Sequence, residues 1–139
     1  MGYYESANKK VTAGNNSKYD NFFDIQLSSS KITSNYIMLV FLDFLIVEQE
    51  GYASEIKKIF TDVLEQPGFL SLTNGNFYPV IKEMKEKGFI KLNGKTKGKA
   101  KYYEITKKGE KFHSKLKKIL FDEINKSINF YKGMKELIY

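Results

Sequence analysis

The sequence predicts a single-domain, mostly α-helical (α+β) fold, with helices packed around a short β-hairpin. Apolar residues recur at spacings of three and four in several separate segments, which is typical of amphipathic helices. A lysine-rich segment before the last helix alternates like paired strands joined by turn residues. With 139 residues and 42% hydrophobic side chains, the chain can bury one modest core.

The first 30 residues differ in composition from the rest of the chain. Residues 1–30 are rich in Asn, Ser, Gly and Tyr and show no sustained period, so we interpret them as an N-terminal arm. Within this arm Phe22–Leu27 carries four apolar side chains, and we expect it to pack against the body of the protein or against a partner chain. The absence of cysteine excludes disulfides and fits a reducing cytoplasm.

Two helices are predicted next. Residues 31–48 are apolar on nearly all sides, which indicates a helix buried on most of its surface. Their longest apolar run, residues 36–47, contains an aspartate and is shorter than the roughly 20 residues that span a bilayer, so we expect no membrane segment. Gly51 interrupts the chain before a second helix at about residues 52–64, and the apolar stretch 69–72 predicts a short strand.

The third helix is predicted within Thr73–Lys87, and its start is unusual. Its buried stripe, at spacings of three and four, consists of Phe77, Val80, Ile81 and Met84. Pro79 lies near the start of this helix, where two caps are possible. After an Asn76 cap it would be the third helical residue, whereas after a Thr73 cap it would lie deeper and kink the helix or loosen its first turn. Gly88 stands where a helix needs a left-handed cap.

A hairpin and a long helix complete the chain. Phe89–Leu92 alternates like a half-buried strand, Asn93-Gly94 predicts the turn, and Lys101–Ile105 returns as the partner strand. Thr106 can cap the last helix. Along that helix the apolar residues recur every three or four positions: Phe112, Leu116, Ile119, Leu120, Ile124, Ile128, Tyr131, Met134 and Leu137. One short domain can hardly cover so long a seam, so we expect a second copy of the chain to pack against it.

The order of these elements predicts a winged helix-turn-helix over residues 31–109, followed by a C-terminal dimerisation helix at residues 110–139. The charge distribution indicates the class of partner. All 23 basic residues are lysines, and fourteen of them lie between Lys82 and Lys118 against four glutamates. Positive charge concentrated in one continuous segment favours a surface for a polyanion such as DNA. The alternative is a solvated face that keeps the protein soluble.

The hairpin and the third helix carry the candidate contacts. Lysines occupy alternate hairpin positions and share one face if the strands extend that far: Lys95, Lys97, Lys99 and Lys101. Contact with phosphates is the favoured role, and protection of an edge strand against aggregation is the alternative. Tyr78 follows the buried Phe77 and points partly outward, so we expect it to contact phosphate. Of the adjacent Tyr102 and Tyr103, at least one should face inward.

Enzyme chemistry has few residues available. His113 is the only histidine and there is no cysteine, so one chain cannot assemble a histidine-based metal site or a Cys/His pair. The carboxylates are spread along helix faces beside lysines, and no serine lies in a nucleophile elbow. We therefore expect no catalytic activity, no metal and no cofactor.

Three motifs follow one another in the chain. Gly51–Ile56 has the pattern Gly-Tyr-x-x-x-Ile at the start of the second helix. Leu72–Ile81 contains Gly-x-x-Tyr-Pro before paired apolar positions, and its pattern continues to Gly88–Ile90. Lys101–Gly109 contains Tyr-Tyr-x-hydrophobic-Thr-x-x-Gly. Over roughly residues 35–120 the chain thereby resembles the PadR family of bacterial transcriptional regulators.

This resemblance implies a homodimer joined by the C-terminal helix, with help from the first helix. It also implies binding to double-stranded DNA at an inverted-repeat operator, usually with repression of the protein's own gene. The single C-terminal helix is similar to that of a smaller subfamily, some members of which bind planar aromatic drugs at the dimer interface. The chain departs from those members because it has no tryptophan to sandwich such a ligand, so any small-molecule effector is left unidentified.

The third helix corresponds to the DNA-recognition helix of the family and lacks arginine. Contacts to the bases are therefore expected from Asn74, Asn76 and Lys82. When contacts to the DNA backbone are counted together with those to the bases, the expected DNA-binding residues are Thr73, Asn74, Asn76, Tyr78, Lys82, Lys95, Lys97, Lys99, Lys101 and Tyr103. The expected dimerisation residues are Leu116, Ile119, Leu120, Ile124, Ile128 and Tyr131. Two alternatives stay open: a winged-helix module whose basic face binds an acidic protein, and a sensor with a small molecule between its long helices.

Overall fold

The computed structural model describes residues 29–65 and 71–139, so the predicted arm up to residue 28, with its apolar segment Phe22–Leu27, lies outside the described residues. Mostly helical, the described chain has this element order: α1 Ser29–Glu48, β1 Gly51–Tyr52, α2 Ala53–Leu64, α3 Asn74–Glu86, β2 Ile90–Lys97, β3 Ala100–Ile105 and α4 Lys107–Ile138. This order confirms the winged helix-turn-helix, with α2 and α3 as its paired helices and β2–β3 as the wing. None of the described helices is long and apolar enough to cross a membrane.

The sheet is antiparallel with the strand order β1-β3-β2. Its short third strand was predicted at residues 69–72, and that position is wrong for the part described. Ser71 and Leu72 belong to no strand, and the Leu72 N–H donates to Glu65 Oε2 at 3.2 Å. Instead, Gly51 pairs with Tyr103 in β3, because the chain leaving α1 runs along the free edge of that strand.

The hairpin turn was also predicted at the wrong place. Lys97 pairs with Ala100, so the turn consists of Gly98 and Lys99, and Gly98 has a φ of 62°. A glycine with positive φ at the first position of a two-residue loop matches the twist of a hairpin. Asn93-Gly94 instead forms a bulge inside β2, where the pairing register shifts between Leu92 and Thr96.

The start of α3 resolves the question raised by Pro79. Thr73 is the N-cap, and a capping box joins it to Asn76, whose N–H donates to Thr73 Oγ1 at 3.2 Å. Pro79 therefore lies inside the helix. Since proline has no N–H, the Gly75 carbonyl cannot accept the usual bond from the fourth residue after it. At the other end, Gly88 has a φ of 80° and forms the predicted left-handed cap.

The core is centred on α1 and closed by the first half of α4. Phe41 is fully buried and lies 6.2 Å from the Phe77 ring of α3 and 6.1 Å from the Tyr103 ring of β3, between centroids. Leu116 and Leu120, which were predicted to join two chains, are 0% and 2% exposed within the single chain. They pack into this core because the first half of α4 lies along α1, so the chain covers that part of the seam itself.

Two residues fix the start of α4 against the end of α3. Thr106 Oγ1 accepts from the Gly109 N–H at 3.0 Å and donates to the Gly88 carbonyl at 2.5 Å, so it caps α4 as predicted and ties it to the preceding turn. Gly109 is buried, and a Cβ at this position would collide with the Phe89 carbonyl oxygen. The wing and α4 are therefore held in one orientation relative to α3.

Candidate nucleic-acid interface

A cleft of about 420 Å³ lies between the start of α2, the exposed face of α3 and the tip of the wing. Its lining residues are Tyr52, Ala53, Ser54, Tyr78, Ile81, Lys82, Lys85, Lys99, Ala100, Lys101 and Tyr103. Residues from three separate elements meet here because β3 pairs with β1, which leads directly into α2. The cleft is thus a product of the tertiary fold and not of one local motif.

Four lysines dominate the charge of this cleft, two from α3 and two from the wing. Lys82, Lys85, Lys99 and Lys101 are all exposed. Over residues 29–65 and 71–139, no carboxylate lies within ion-pair distance of any of them, whereas Lys91 pairs with Glu104 at 3.7 Å. Four unpaired cations around one concave surface concentrate positive potential there, and this arrangement attracts phosphate groups.

The predicted residues at the start of α3 divide into engaged and available side chains. Asn76 Oδ1 accepts from the Thr73 N–H at 2.8 Å, and its Nδ2 donates to the Ser71 carbonyl at 3.1 Å. Asn76 and Thr73 therefore hold the helix start in this structure, and base readout by Asn76 would require these bonds to break. Asn74 is exposed and has no side-chain hydrogen bond to the described residues. It is the asparagine available for a base edge.

The tyrosines separate in the way that the strand alternation requires. Tyr78 is 39% exposed, packs edge-on against Phe77 and lines the cleft, so part of its side chain is accessible to solvent. Tyr103 is the inward member of its pair, since its ring packs against Phe41 in the core while it also borders the cleft. Tyr102 lies on the other face of the sheet, with its ring centroid 5.3 Å from that of Tyr52.

The four wing lysines do not share one face. Thr96 pairs with Lys101 and Lys97 with Ala100, and directly paired residues project to the same side of a sheet. Because neighbours along a strand project to opposite sides, Lys97 lies on the face opposite Lys101. The lysine Nζ of Lys97 is 5.8 Å from the Tyr52 ring centroid. The expectation of a single face is wrong because the turn lies at residues 98–99 and folds the lysine run back on itself.

The start of α2 contributes residues to the cleft that the sequence did not indicate. Tyr52 is the N-cap residue of this helix, and its side chain makes no capping hydrogen bond. Ala53 and Ser54 in the first turn line the cleft. Lys85 was also missed, although it lies seven residues after Tyr78 and three after Lys82, spacings that place all three on one helix face.

His113 and the carboxylates form no second site. His113 is 7% exposed, so it is buried between α4 and α1, where its Nε2 lies 3.2 Å from Asp43 Oδ1. The packing of α4 along α1 buries it. Within the part of the chain that the structure describes, no three His, Asp or Glu side chains are grouped to hold a metal ion.

Comparison with known proteins agrees with this geometry. The model of the transcriptional regulator PadR-like family matches residues 42–115, which is more than half of the chain. No curated protein matches the chain significantly.

Solved structures share the fold over most of their length. A candidate transcriptional regulator of Thermoplasma acidophilum is 25% identical with a TM-score of 0.59, over 74% of this chain and 96% of that one. A transcriptional regulator of Clostridium thermocellum is 27% identical with a TM-score of 0.56, over 76% and 98%. A PadR family transcription regulator of Clostridium difficile is 29% identical with a TM-score of 0.52, over 69% and 97%.

Proposed function

Because the chain belongs to the PadR-like family of transcriptional regulators, we propose that it binds an inverted-repeat operator as a homodimer and represses transcription of its own or a neighbouring operon. In this proposal α3 enters the major groove and the wing contacts the adjacent backbone. The protein acts in the cytoplasm, where its DNA lies.

The observation that carries this proposal is the cleft between α3 and the wing, where four lysines lie without an ion pair to any described carboxylate. Lys82 and Lys85 extend from the exposed face of α3, and Lys99 and Lys101 approach from the wing tip, so phosphates on two sides of a groove can be contacted together. Asn74 supplies an amide that can form two hydrogen bonds with adenine. Tyr78 offers a hydroxyl to a phosphate oxygen at the wall of the cleft.

The second half of α4 supports the homodimer. Past Leu120 its apolar residues are exposed in the single chain, with Ile124 at 36%, Ile128 at 49% and Tyr131 at 63%. Ile119 is half-buried against the protomer's own core, so of the predicted dimerisation residues these last three are the ones left for a partner. A twofold axis near this part of α4 would place two α3 helices on one face of the DNA, as an inverted repeat requires.

Selection of binding sites from a random DNA pool tests the proposal. We expect the wild-type protein to enrich an inverted repeat whose half-sites are centred about one helical turn, roughly 34 Å, or a multiple of it apart. The variant Asn74→Ala should enrich sites with relaxed preference at one position in each half-site, while its affinity for unrelated DNA stays unchanged. Failure of the wild-type protein to enrich any sequence contradicts the operator-specific proposal.

A further inference from the structure

The wing contains a network of side chains that the cleft does not use. The Glu50 carboxylate lies between the bulge and a wing lysine: its Oε1 accepts from Asn93 Nδ2 at 3.0 Å and lies 3.0 Å from Lys95 Nζ. Its Oε2 accepts from the same ammonium group at 3.3 Å. One carboxylate thus satisfies two donors from β2, although it belongs to the junction between α1 and β1.

The backbone on both sides of Glu50 is held in place. Gln49 has a φ of 72°, which ends α1 and turns the chain. Gly51 is paired with Tyr103, and a Cβ added to Gly51 would lie 2.5 Å from Cε1 of Phe44. Glu50 therefore presents its carboxylate from a fixed position, which is what a residue that orients another segment needs.

The segment that it contacts is the irregular part of the wing. Gly94 has a φ of 90° inside the bulge, and Lys95 N–H donates to Asn93 Oδ1 at 2.9 Å. Asn93 therefore links the bulge backbone to Glu50 through the two ends of one amide group. A bulge changes the direction of the residues that follow it. The link from Asn93 to Glu50 therefore helps to set the directions in which the Lys95 and Lys97 side chains project from β2.

Lys95 differs in charge environment from the lysines that border the cleft. Of the four lysines at residues 95–101, Lys95 is held by a carboxylate, whereas Lys97, Lys99 and Lys101 make no ion pair with any described residue. The Glu50 side chain is 31% exposed, so its negative charge also faces the solvent beside the wing.

We propose that Glu50 is a positioning residue of the wing that holds the Asn93-Gly94 bulge and masks the charge of Lys95. This inference rests on the proposed function, in which the wing contacts DNA phosphates. Masking removes one lysine from the set that neutralises phosphates, and thereby lowers the affinity for DNA of any sequence. The contacts of α3 to the bases, which determine sequence specificity, are unaffected.

The test uses Glu50→Gln, which keeps an oxygen to accept from Asn93 but removes the charge. With the full-length protein and a DNA duplex of arbitrary sequence, this variant should steepen the plot of log affinity against log salt by about 0.9, since Lys95 then neutralises one more phosphate. Lys95→Ala should keep the wild-type slope, and Glu50→Gln combined with Lys95→Ala should match Lys95→Ala. An unchanged slope for Glu50→Gln, or a slope for Lys95→Ala that is flatter by about 0.9, overturns the masking.

Lys101→Ala is the matched control for the proposed function, because Lys101 lines the cleft and makes no ion pair with any described residue. It should flatten the slope by about 0.9. If Lys101→Ala has the wild-type slope while Glu50→Gln still steepens it, the phosphate contact proposed for Lys101 is wrong and the masking of Lys95 stands. If the wild-type protein binds DNA without any salt dependence, both the proposed function and the masking fail.

A measurement without DNA tests the positioning role separately. Hydrogen exchange of the Lys95 backbone N–H reports the bulge, because this group donates to Asn93 Oδ1. Glu50→Ala should accelerate this exchange several-fold, and Glu50→Gln should restore the wild-type rate. Equal rates in the wild-type protein and in Glu50→Ala would show that Glu50 does not hold the bulge.

Discussion

Truncation of Ile128 gives a quantitative prediction for the dimer. About half of this side chain, 49%, is exposed in the single chain. Complete burial of an isoleucine contributes about 1.5–3 kcal/mol, so burial of the exposed half by a partner contributes about 1 kcal/mol. In a twofold-symmetric interface the residue occurs twice, and Ile128→Ala should therefore cost about 2 kcal/mol of dimerisation free energy. This corresponds to a dissociation constant raised about 30-fold.

Sedimentation velocity over a series of protein concentrations measures this shift. The matched control is Ile59→Ala, which makes the same chemical change at a residue that is 41% exposed but lies on α2. We expect the control variant to dimerise like the wild-type protein. A wild-type protein that is a monomer at every concentration, or equal shifts of the dissociation constant in the two variants, would contradict burial of Ile128 between two copies of the chain.

Three further predictions concern stability and the start of α3. Gly109→Ala should lower the free energy of unfolding by about 1–3 kcal/mol, because the added Cβ would collide with the Phe89 backbone. The control is Gly133→Ala in the same helix, where nothing lies within 4 Å of the added Cβ. This control variant should have an unfolding temperature equal to or above that of the wild-type protein. Thr73→Ala removes the cap bond to Asn76 N–H and should cost about 1 kcal/mol, measured by urea denaturation against Thr96→Ala on the wing. At Gly75 an added Cβ has room, since its nearest neighbour is Thr73 Oγ1 at 3.6 Å, so Gly75→Ala should fold with wild-type stability. The same variant should weaken DNA binding, because in the proposed function the start of α3 approaches the DNA at this position. Equal DNA affinities for Gly75→Ala and the wild-type protein would contradict that approach.

Local patterns predicted the helices well because each has its own period and end signals. Gly88 is one example: the residue pattern places a glycine just past α3, and the backbone there does require a positive φ. Thr106 is another, since a threonine before a long periodic segment predicts the cap that the structure contains.

The errors arose where the deciding interaction is distant in the sequence. Asn93-Gly94 has the composition of a hairpin turn, but Glu50, 43 residues away, accepts a bond from Asn93 and favours a bulge. In the same way, the periodicity of α4 cannot distinguish a partner helix inside the chain from one in a second copy. Packing along α1 assigns Leu116 to the protomer's own core and leaves Ile128 exposed.

The candidate site was predicted residue by residue and is assembled by pairing of strands. Lys82 and Tyr78 could be placed together from helical spacing alone. Their approach to Lys99 and Lys101 depends on where the turn lies, and the involvement of Ser54 depends on the pairing of β1 with β3. Neither the position of the turn nor the pairing of β1 with β3 has a signal in the local sequence.

Operator recognition is tested by a binding titration of the full-length protein with the DNA upstream of its own gene and with a shuffled duplex of the same composition. At physiological salt we expect the upstream DNA to bind at least about a thousand-fold more tightly than the shuffled duplex. Affinity for both should fall steeply between about 50 and 200 mM salt, since several lysines neutralise phosphates. Equal affinity for the two duplexes would contradict the proposal that this protein recognises an operator of its own.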